Sequence, residues 1–298
     1  MVEKDPPKIN RAFSLLEILI AMALGSFISL GLADLYFSYE RNYQFQKAMM
    51  QATQNGILAS NMIETLLSQV GYAGCLSLKN VKITSHIALP GFPFVLRDAT
   101  TSLLRTNGAL RRTTQAITAL KILNNTDTKI TLSHTPLTNN SLLQLSFMSP
   151  DIANVIQLMS SPNYIVINDT PKFAKGDIMM ISNCSNADIF AIDDVYIEGT
   201  QQIIYTKANL AQYKPGAIVG RWMQLILYVA NTERKDNLGN LIPALYWHKL
   251  NGDDDELVEG ISQFFIKQNA KNVQINLTST SVDNIHEQSQ QWQFVAYV

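Results

Sequence analysis

The residues able to do chemistry are few and scattered. Four histidines, His86, His134, His248 and His286, lie far apart, with no H-x-x-x-H or H-E-x-x-H spacing to set two imidazoles on one helix face. Cys75 and Cys184, the two cysteines, are too few for a four-ligand zinc site or a disulfide scaffold, and enough for one bridge. No G-x-S-x-G, P-loop or G-x-G-x-x-G occurs, so acyl transfer and nucleotide chemistry have no visible handle. The densest acidic run, Asn251-Gly252-Asp253-Asp254-Asp255-Glu256, lacks the alternating ligand spacing of a calcium loop and reads as a solvated turn. Arg105, Arg111 and Arg112 stand among Thr and Asn without the interleaved aromatics of a nucleic-acid platform. A formal net charge of −1 gives no global field to draw in a polyanion. These readings agree on a non-catalytic scaffold with no cofactor and no metal.

The elements that must position such residues are more telling. Hydrophobic residues make up 47% of the 298 and charged residues only 16%, which excludes a disordered chain. The most informative stretch is Phe13 to Ala33, FSLLEILIAMALGSFISLGLA, apolar apart from Glu17 and three Ser. Its length matches the roughly 20 residues a helix needs to cross a bilayer. Ahead of it, Lys4, Lys8 and Arg11 against Glu3 and Asp5 leave a net +1. By the positive-inside tendency this leader stays cytoplasmic and the rest lies outside. A secretory signal would end in a small-x-small site, which Ser29, Gly31 and Ala33 can mimic. The helical pattern instead runs on, with Leu58, Met62, Leu66 and Val70 at helical spacing and Ile63 and Leu67 one step round. Gly56 is its one weak point, at about 1 kcal/mol against Ala. A single helix from Phe13 to Gly71 would reach about 85–90 Å.

Glu17 is the odd residue of the span, since a carboxylate five positions into a membrane helix costs a few kcal/mol. Two readings stand on physics alone. It snorkels to the headgroups, or it pairs with a cation that assembly supplies. Cleavage between Ala12 and Phe13 would make such a cation, a new α-amine at bilayer depth.

The stretch RAFSLLEILIAMALGSF resembles the class III signal of type IV pilins and type II secretion pseudopilins. The resemblance implies that a prepilin peptidase cuts between Ala12 and Phe13, that Phe13 becomes N-methylated, and that Glu17 guides subunit packing. Ala12 departs from the family, which nearly always has Gly there. Three later segments, GYAGC (71–75), KGDIMMISNCSNADIFAI (175–192) and ALYWHKLNGDDDELVEGISQFFIKQ (244–268), are similar to PilW-type minor pilins. Gly71 then closes the helix. The last segment is shared with the larger type II pseudopilin J. The implied role is a low-abundance subunit that primes fibre growth in a tip complex. Its implied partners are other minor pilins, the major pilin, a PilY-type tip adhesin, the prepilin peptidase and an inner-membrane pilus platform. A J-type pseudopilin and a membrane-tethered periplasmic binding protein or enzyme are the alternatives.

Past the helix the residues read as mostly β. Alternation marks KITLS (129–133), LLQLSF (142–147), YIVIND (164–169), DIMMIS (177–182), QIIYTK (202–207), QLILYVA (224–230), VQINLTS (273–279) and WQFVAY (292–297). Turn signals at Asn139-Asn140, Ser161-Pro162, Lys214-Pro215-Gly216 and Asn251-Gly252 separate them. A short helix is expected around Arg111–Leu123. The fold expected is α+β and pilin-like, a long N-terminal helix packed on a mostly antiparallel β domain. Its division is a cleaved leader (1–12), a transmembrane and assembly helix (13–33), an amphipathic continuation (34–71) and a periplasmic globular domain (72–298). The chain is placed in the bacterial inner membrane as a single pass, and later at the pilus tip. Cys75 and Cys184, both beyond the span, are expected to pair in the oxidising periplasm; two buried free thiols are the alternative.

Overall fold

The computed structural model of the chain describes residues 15–78, 80–87, 113–114, 119–123, 132–249, 252–268, 272–282 and 289–297. One helix, α1 (Leu15–Gln69), runs unbroken for 55 residues, about 80 Å. Ala, Leu, Met and Gln carry it, with no Pro to interrupt the amide ladder. Gly71 and Gly74 follow with φ of 79° and 85°, the left-handed backbone that glycine adopts without a Cβ clash.

The remaining elements are strands: β1 (Lys82–Ser85), β2 (Thr113–Thr114), β3 (Leu120–Leu123), β4 (Leu142–Asn154), β5 (Tyr164–Asn168), β6 (Ile178–Ser182), β7 (Asn186–Ala191) and β8 (Asp194–Glu198). They continue with β9 (Gln201–Tyr205), β10 (Ile218–Lys235), β11 (Leu241–Lys249), β12 (Asp254–Glu259), β13 (Ile261–Gln268), β14 (Asn272–Thr280) and β15 (Ser289–Tyr297). Among the described residues they form three sheets. The largest orders β12-β11-β10-β6-β7-β1-β2, with β4 on the other side of β10 and β3 beyond it; β13-β14-β15 and β5-β9-β8 are small antiparallel sheets. Every pairing is antiparallel except β1 with β7. The chain is therefore one long apolar helix ahead of a mostly antiparallel, sheet-rich domain, consistent with an α+β pilin-like fold.

The largest core joins these layers. Ala59, Ile63 and Leu67 of α1 share it with Leu143, Leu145 and Phe147 of β4, Leu225, Leu227 and Val229 of β10, and Phe264, Ile275 and Leu277 of the β13-β14-β15 sheet. A second core lies between β5-β9-β8 and the Phe190 face of β6 and β7.

The structure departs from the sequence reading in several places. Leu120–Leu123 is strand β3 and not the end of a helix, because it pairs with Leu142–Leu145 across β4. Positions 129–131 of KITLS fall outside the described residues, and Leu132 and Ser133 lie in irregular chain. The strands β8, β11, β12 and β13 lacked a clean two-residue alternation; β11, for example, buries both Leu245 and Tyr246 in succession. The acidic run is an exposed turn only at its start, at Gly252 and Asp253; Asp254–Glu256 open β12, and the Asp254 side chain is only 1% exposed.

Candidate functional site

The helix divides by burial. No residue of α1 before Ala48 is buried, and Leu15, Ile20, Phe27 and Leu35 all face outward. An apolar surface of that extent on a monomer marks a contact with lipid or with other chains. Its length and composition suit a membrane crossing. Glu17 stands in its first turn, where the helix dipole favours a carboxylate. Ala12 and Phe13, the expected cleavage pair, lie outside the described residues, as do Arg105, Arg111 and Arg112. Tyr36, Phe37, Tyr39, Tyr43 and Phe45 remain exposed as the helix nears the domain.

From Ala48 the helix docks. Its buried stripe is Ala48, Ala52, Gly56, Ala59, Ile63 and Leu67, spaced by three and four. Four of the six carry at most a methyl group, so α1 approaches β14 and β15 closely. Leu58, expected on the apolar face, is 50% exposed, while Met62, Leu66 and Val70 flank the core. Small side chains do the docking up to Ala59, and Ile63 and Leu67 take over beyond it. The Trp292 indole lies directly over Gly56 and donates from Nε1 to Ser279 Oγ at 3.0 Å. Thr53 Oγ1 donates to Gln290 Oε1 at 2.9 Å on the same seam.

The end of the helix is fastened three times. Gly71 N donates to Ser146 O at 3.1 Å, and Met148 N donates to Tyr72 O at 2.8 Å, which stitches the turn to β4. Gly74 rests on Ile218 so closely that an added Cβ would sit 3.3 Å from its side chain. Cys75 is then bonded to Cys184, across 109 positions of sequence. Cys184 occupies the β6–β7 turn, which Asn183 Oδ1 shapes by accepting from the amides of Ser185 and Asn186. The expected bridge is present, and it ties the helix terminus to the centre of the large sheet.

Two buried polar clusters lie elsewhere. Asp188 accepts from Ala211 N at 2.8 Å and Tyr213 Oη at 3.0 Å, with His86 Nε2 at 3.0 Å. Burial pushes the Tyr213 hydroxyl far above its ordinary range, and the Asp188 charge adds to it, so Tyr213 stays a proton donor. Asp254 Oδ1 lies 2.5 Å from His248 Nδ1, and its Oδ2 accepts from Ser133 N at 2.5 Å. Burial alone would raise that carboxyl, but the bonds from Ser133 and His248 outweigh it and hold it below the usual range. Both clusters fasten strands to loops. Among the described residues no three His, Cys, Asp or Glu side chains gather in a metal-holding group.

The prokaryotic N-terminal methylation motif matches residues 7–33. Proteins of that motif family are generally structural and non-catalytic. No curated protein and no solved structure matches the chain. A prepilin-type methylation motif on one exposed apolar helix, ahead of an antiparallel β domain, supports a type IV pilin-like protein anchored by a single membrane pass.

Proposed function

We propose that this chain is a minor pilin, most like the PilW type, which primes type IV pilus assembly within a tip complex. The observation that carries the reading is the methylation motif at 7–33, set on a helix with no buried residue before Ala48. Processing between Ala12 and Phe13 leaves an N-methylated Phe13, and helix 13–33 holds the subunit in the inner membrane. The β domain stands in the periplasm, where the Cys75–Cys184 bond is stable. The pilus platform then draws the helix from lipid into the fibre core. That transfer exchanges one apolar surrounding for another, so its apolar face is never exposed to water. The force reaches the domain through the end of α1, where the turn is stitched to β4 and bonded to the β6–β7 hairpin. Other minor pilins, the major pilin and a PilY-type adhesin are the partners in this reading, and the subunit performs no catalysis.

Mass spectrometry of the membrane-extracted protein tests the processing step. N-methyl-Phe13 at the N-terminus is expected, and an intact Met1 overturns it. Deletion in the parent bacterium tests the role. Fibre number should fall sharply, with recovery on complementation. Normal fibres with a loss of exoprotein secretion would move the chain to the J-type pseudopilins, which share the late LVEG segment (257–260).

A further inference from the structure

The small sheet β5-β9-β8 ends on an open edge. Thr206 N donates to Asn163 O and Asp169 N to Thr200 O, so residues 200 and 206 turn their main-chain groups to the β5 side. Alternation then turns Gln201, Ile203 and Tyr205 toward β8, where they meet Glu198, Tyr196 and Asp194. Val195 and Ile197, the residues between, point their main-chain groups away from β9. Among the described residues β8 pairs with β9 alone. On its outer side the 174–177 turn bonds to Ile192, through Gly176 N to Ile192 O at 2.9 Å and Ile192 N to Asp177 O at 3.0 Å, and no further main-chain bond joins that turn to β8. Val195 N is answered by its neighbour Asp194 Oδ1 at 3.0 Å. The Ile197 N–H and the carbonyls of Val195 and Ile197 have no partner among the described residues.

The side chains along this edge are exposed and ordered. Tyr196 and Ile197 are 56% and 55% exposed, and Glu198 is exposed beside them. The Tyr196 hydroxyl donates to Asp194 Oδ2 at 2.9 Å. Its ring meets that of Tyr205 edge-on at 5.6 Å, and Tyr205 stacks on Tyr164 at 5.7 Å. A row of tyrosines thus runs from the edge across the outer face of the sheet. Asp194 and Glu198 stand on that same face, one on each side of Tyr196. Neither carboxylate is in an ion pair among the described residues, and the nearby Lys207 is paired with Asp193. These charges decide the occupant. Two copies joined β8 to β8 about Tyr196 would set Asp194 against Glu198 at both ends, and like charges directly opposite are destabilising. A short charged edge resists self-pairing in this way, and the same charges attract a basic segment.

We propose that the β8 edge receives a short extended segment of a partner polypeptide, basic at both ends, added antiparallel as a fourth strand to β5-β9-β8. A residue opposite Ile197 answers its N–H and carbonyl, and the residue two places on answers the Val195 carbonyl. Their side chains lie on the face of Val195 and Ile197, so both are apolar. The residue between them lies against Tyr196, where an aromatic ring extends the tyrosine row. The two outer residues stand opposite Glu198 and Asp194, where Lys or Arg makes cross-strand pairs of opposite charge. The segment therefore reads basic–apolar–aromatic–apolar–basic. This holds whether or not the chain assembles as a pilin.

The full chain in nonionic detergent micelles, labelled with ¹⁵N-isoleucine, is titrated with acetyl-Lys-Val-Tyr-Val-Lys-N-methylamide. The Ile197 amide signal is assigned from the spectrum of Ile197→Val. Its saturable movement is expected at millimolar peptide. Acetyl-Glu-Val-Tyr-Val-Glu-N-methylamide should bind about tenfold more weakly, since both cross-strand pairs become like-charged. Glu198→Lys, a change at an exposed side chain, should bring the two peptides within about threefold of one another. The Lys peptide methylated on both valine amides, which face the edge, should lose binding altogether. Methylated on the tyrosine amide, which points away, it should bind as the parent does. Equal binding by the Lys and Glu peptides, equal binding by the valine-methylated and tyrosine-methylated peptides, or no movement at Ile197 overturns the proposal. Movement of Ile197 with protein concentration alone would give the edge to a second copy and overturns it too.

Discussion

The Trp292 indole occupies the space that any side chain on Gly56 would need. A Cβ built at Gly56 would stand 1.9 Å from Trp292 Nε1 and 2.3 Å from Cε2. The ring is not free to swing aside, because its Nε1 donates to Ser279 Oγ, and its partner strand β14 packs on the helix through Val273, Ile275 and Leu277. A residue that looks like a defect in a 55-residue helix is thus the point where helix and sheet come closest.

Helix propensity and this contact give opposite predictions for Gly56→Ala. Propensity alone favours Ala by about 1 kcal/mol. The clash with Trp292 costs about 1–3 kcal/mol by overpacking and wins. The variant should melt several degrees lower in detergent, and Gly56→Ala with Trp292→Ala should lose less than the sum of the single losses. An unchanged or raised melting temperature for Gly56→Ala would refute the docking geometry.

The contrast shows what the sequence could reveal. The helix was legible because a largely apolar run of 21 residues and the absence of Pro are local signals, and the same holds for β4, β5, β6 and β14 with their alternation. The stripe Ala48–Ala52–Gly56 was not, because small residues carry little hydrophobic signal and their meaning lies in the facing β15. Asp254 misled for the same reason. Its charge reads as solvent-facing until His248 and Ser133 are brought against Asp254.

Asp254 supplies a pH-dependent prediction. Its folded carboxyl is held below the unfolded value of about 4, so its stabilisation is present above that pH and lost as pH falls through the folded value. Asp254→Asn should lower stability at pH 7 by about 1–3 kcal/mol, since an amide cannot accept at both oxygens. The difference in melting temperature from wild type should then hold down to about pH 4 and shrink as the pH falls further. A difference that stays constant or widens in acid would count against the assignment.

The bond between Cys75 and Cys184 closes a loop of 109 positions. The chain-entropy account credits such a loop with about 4–5 kcal/mol, and removal of a native bridge typically costs 2–5 kcal/mol. Cys75→Ser, Cys184→Ser and the double variant should therefore lose about the same stability, because each removes the same single constraint. Alkylation of the denatured, non-reduced protein should find no free thiol. Two labels per chain would remove the bridge from the mechanical account.

Glu17 carries the last prediction, which rests on the minor-pilin reading. The residue stands in the first turn of a helix whose surroundings are apolar from Leu15 onward, and an ionised carboxylate there costs a few kcal/mol. The amine freed at Phe13 of a neighbouring subunit is equally costly in an apolar fibre core. Together the two offset one another, and either alone leaves an uncompensated buried charge. Glu17→Ala and Glu17→Gln should both be cleaved normally, since the peptidase acts at Ala12–Phe13 before any neighbour is engaged. Both should fail to enter the fibre. Glu17→Asp keeps the charge but draws it back by one methylene, and it should recover part of the fibre count. Mass spectrometry of the mature N-terminus separates a processing defect from an assembly defect. Wild-type fibre numbers with Glu17→Gln, in a strain lacking the normal copy, would show that the charge is not needed for assembly.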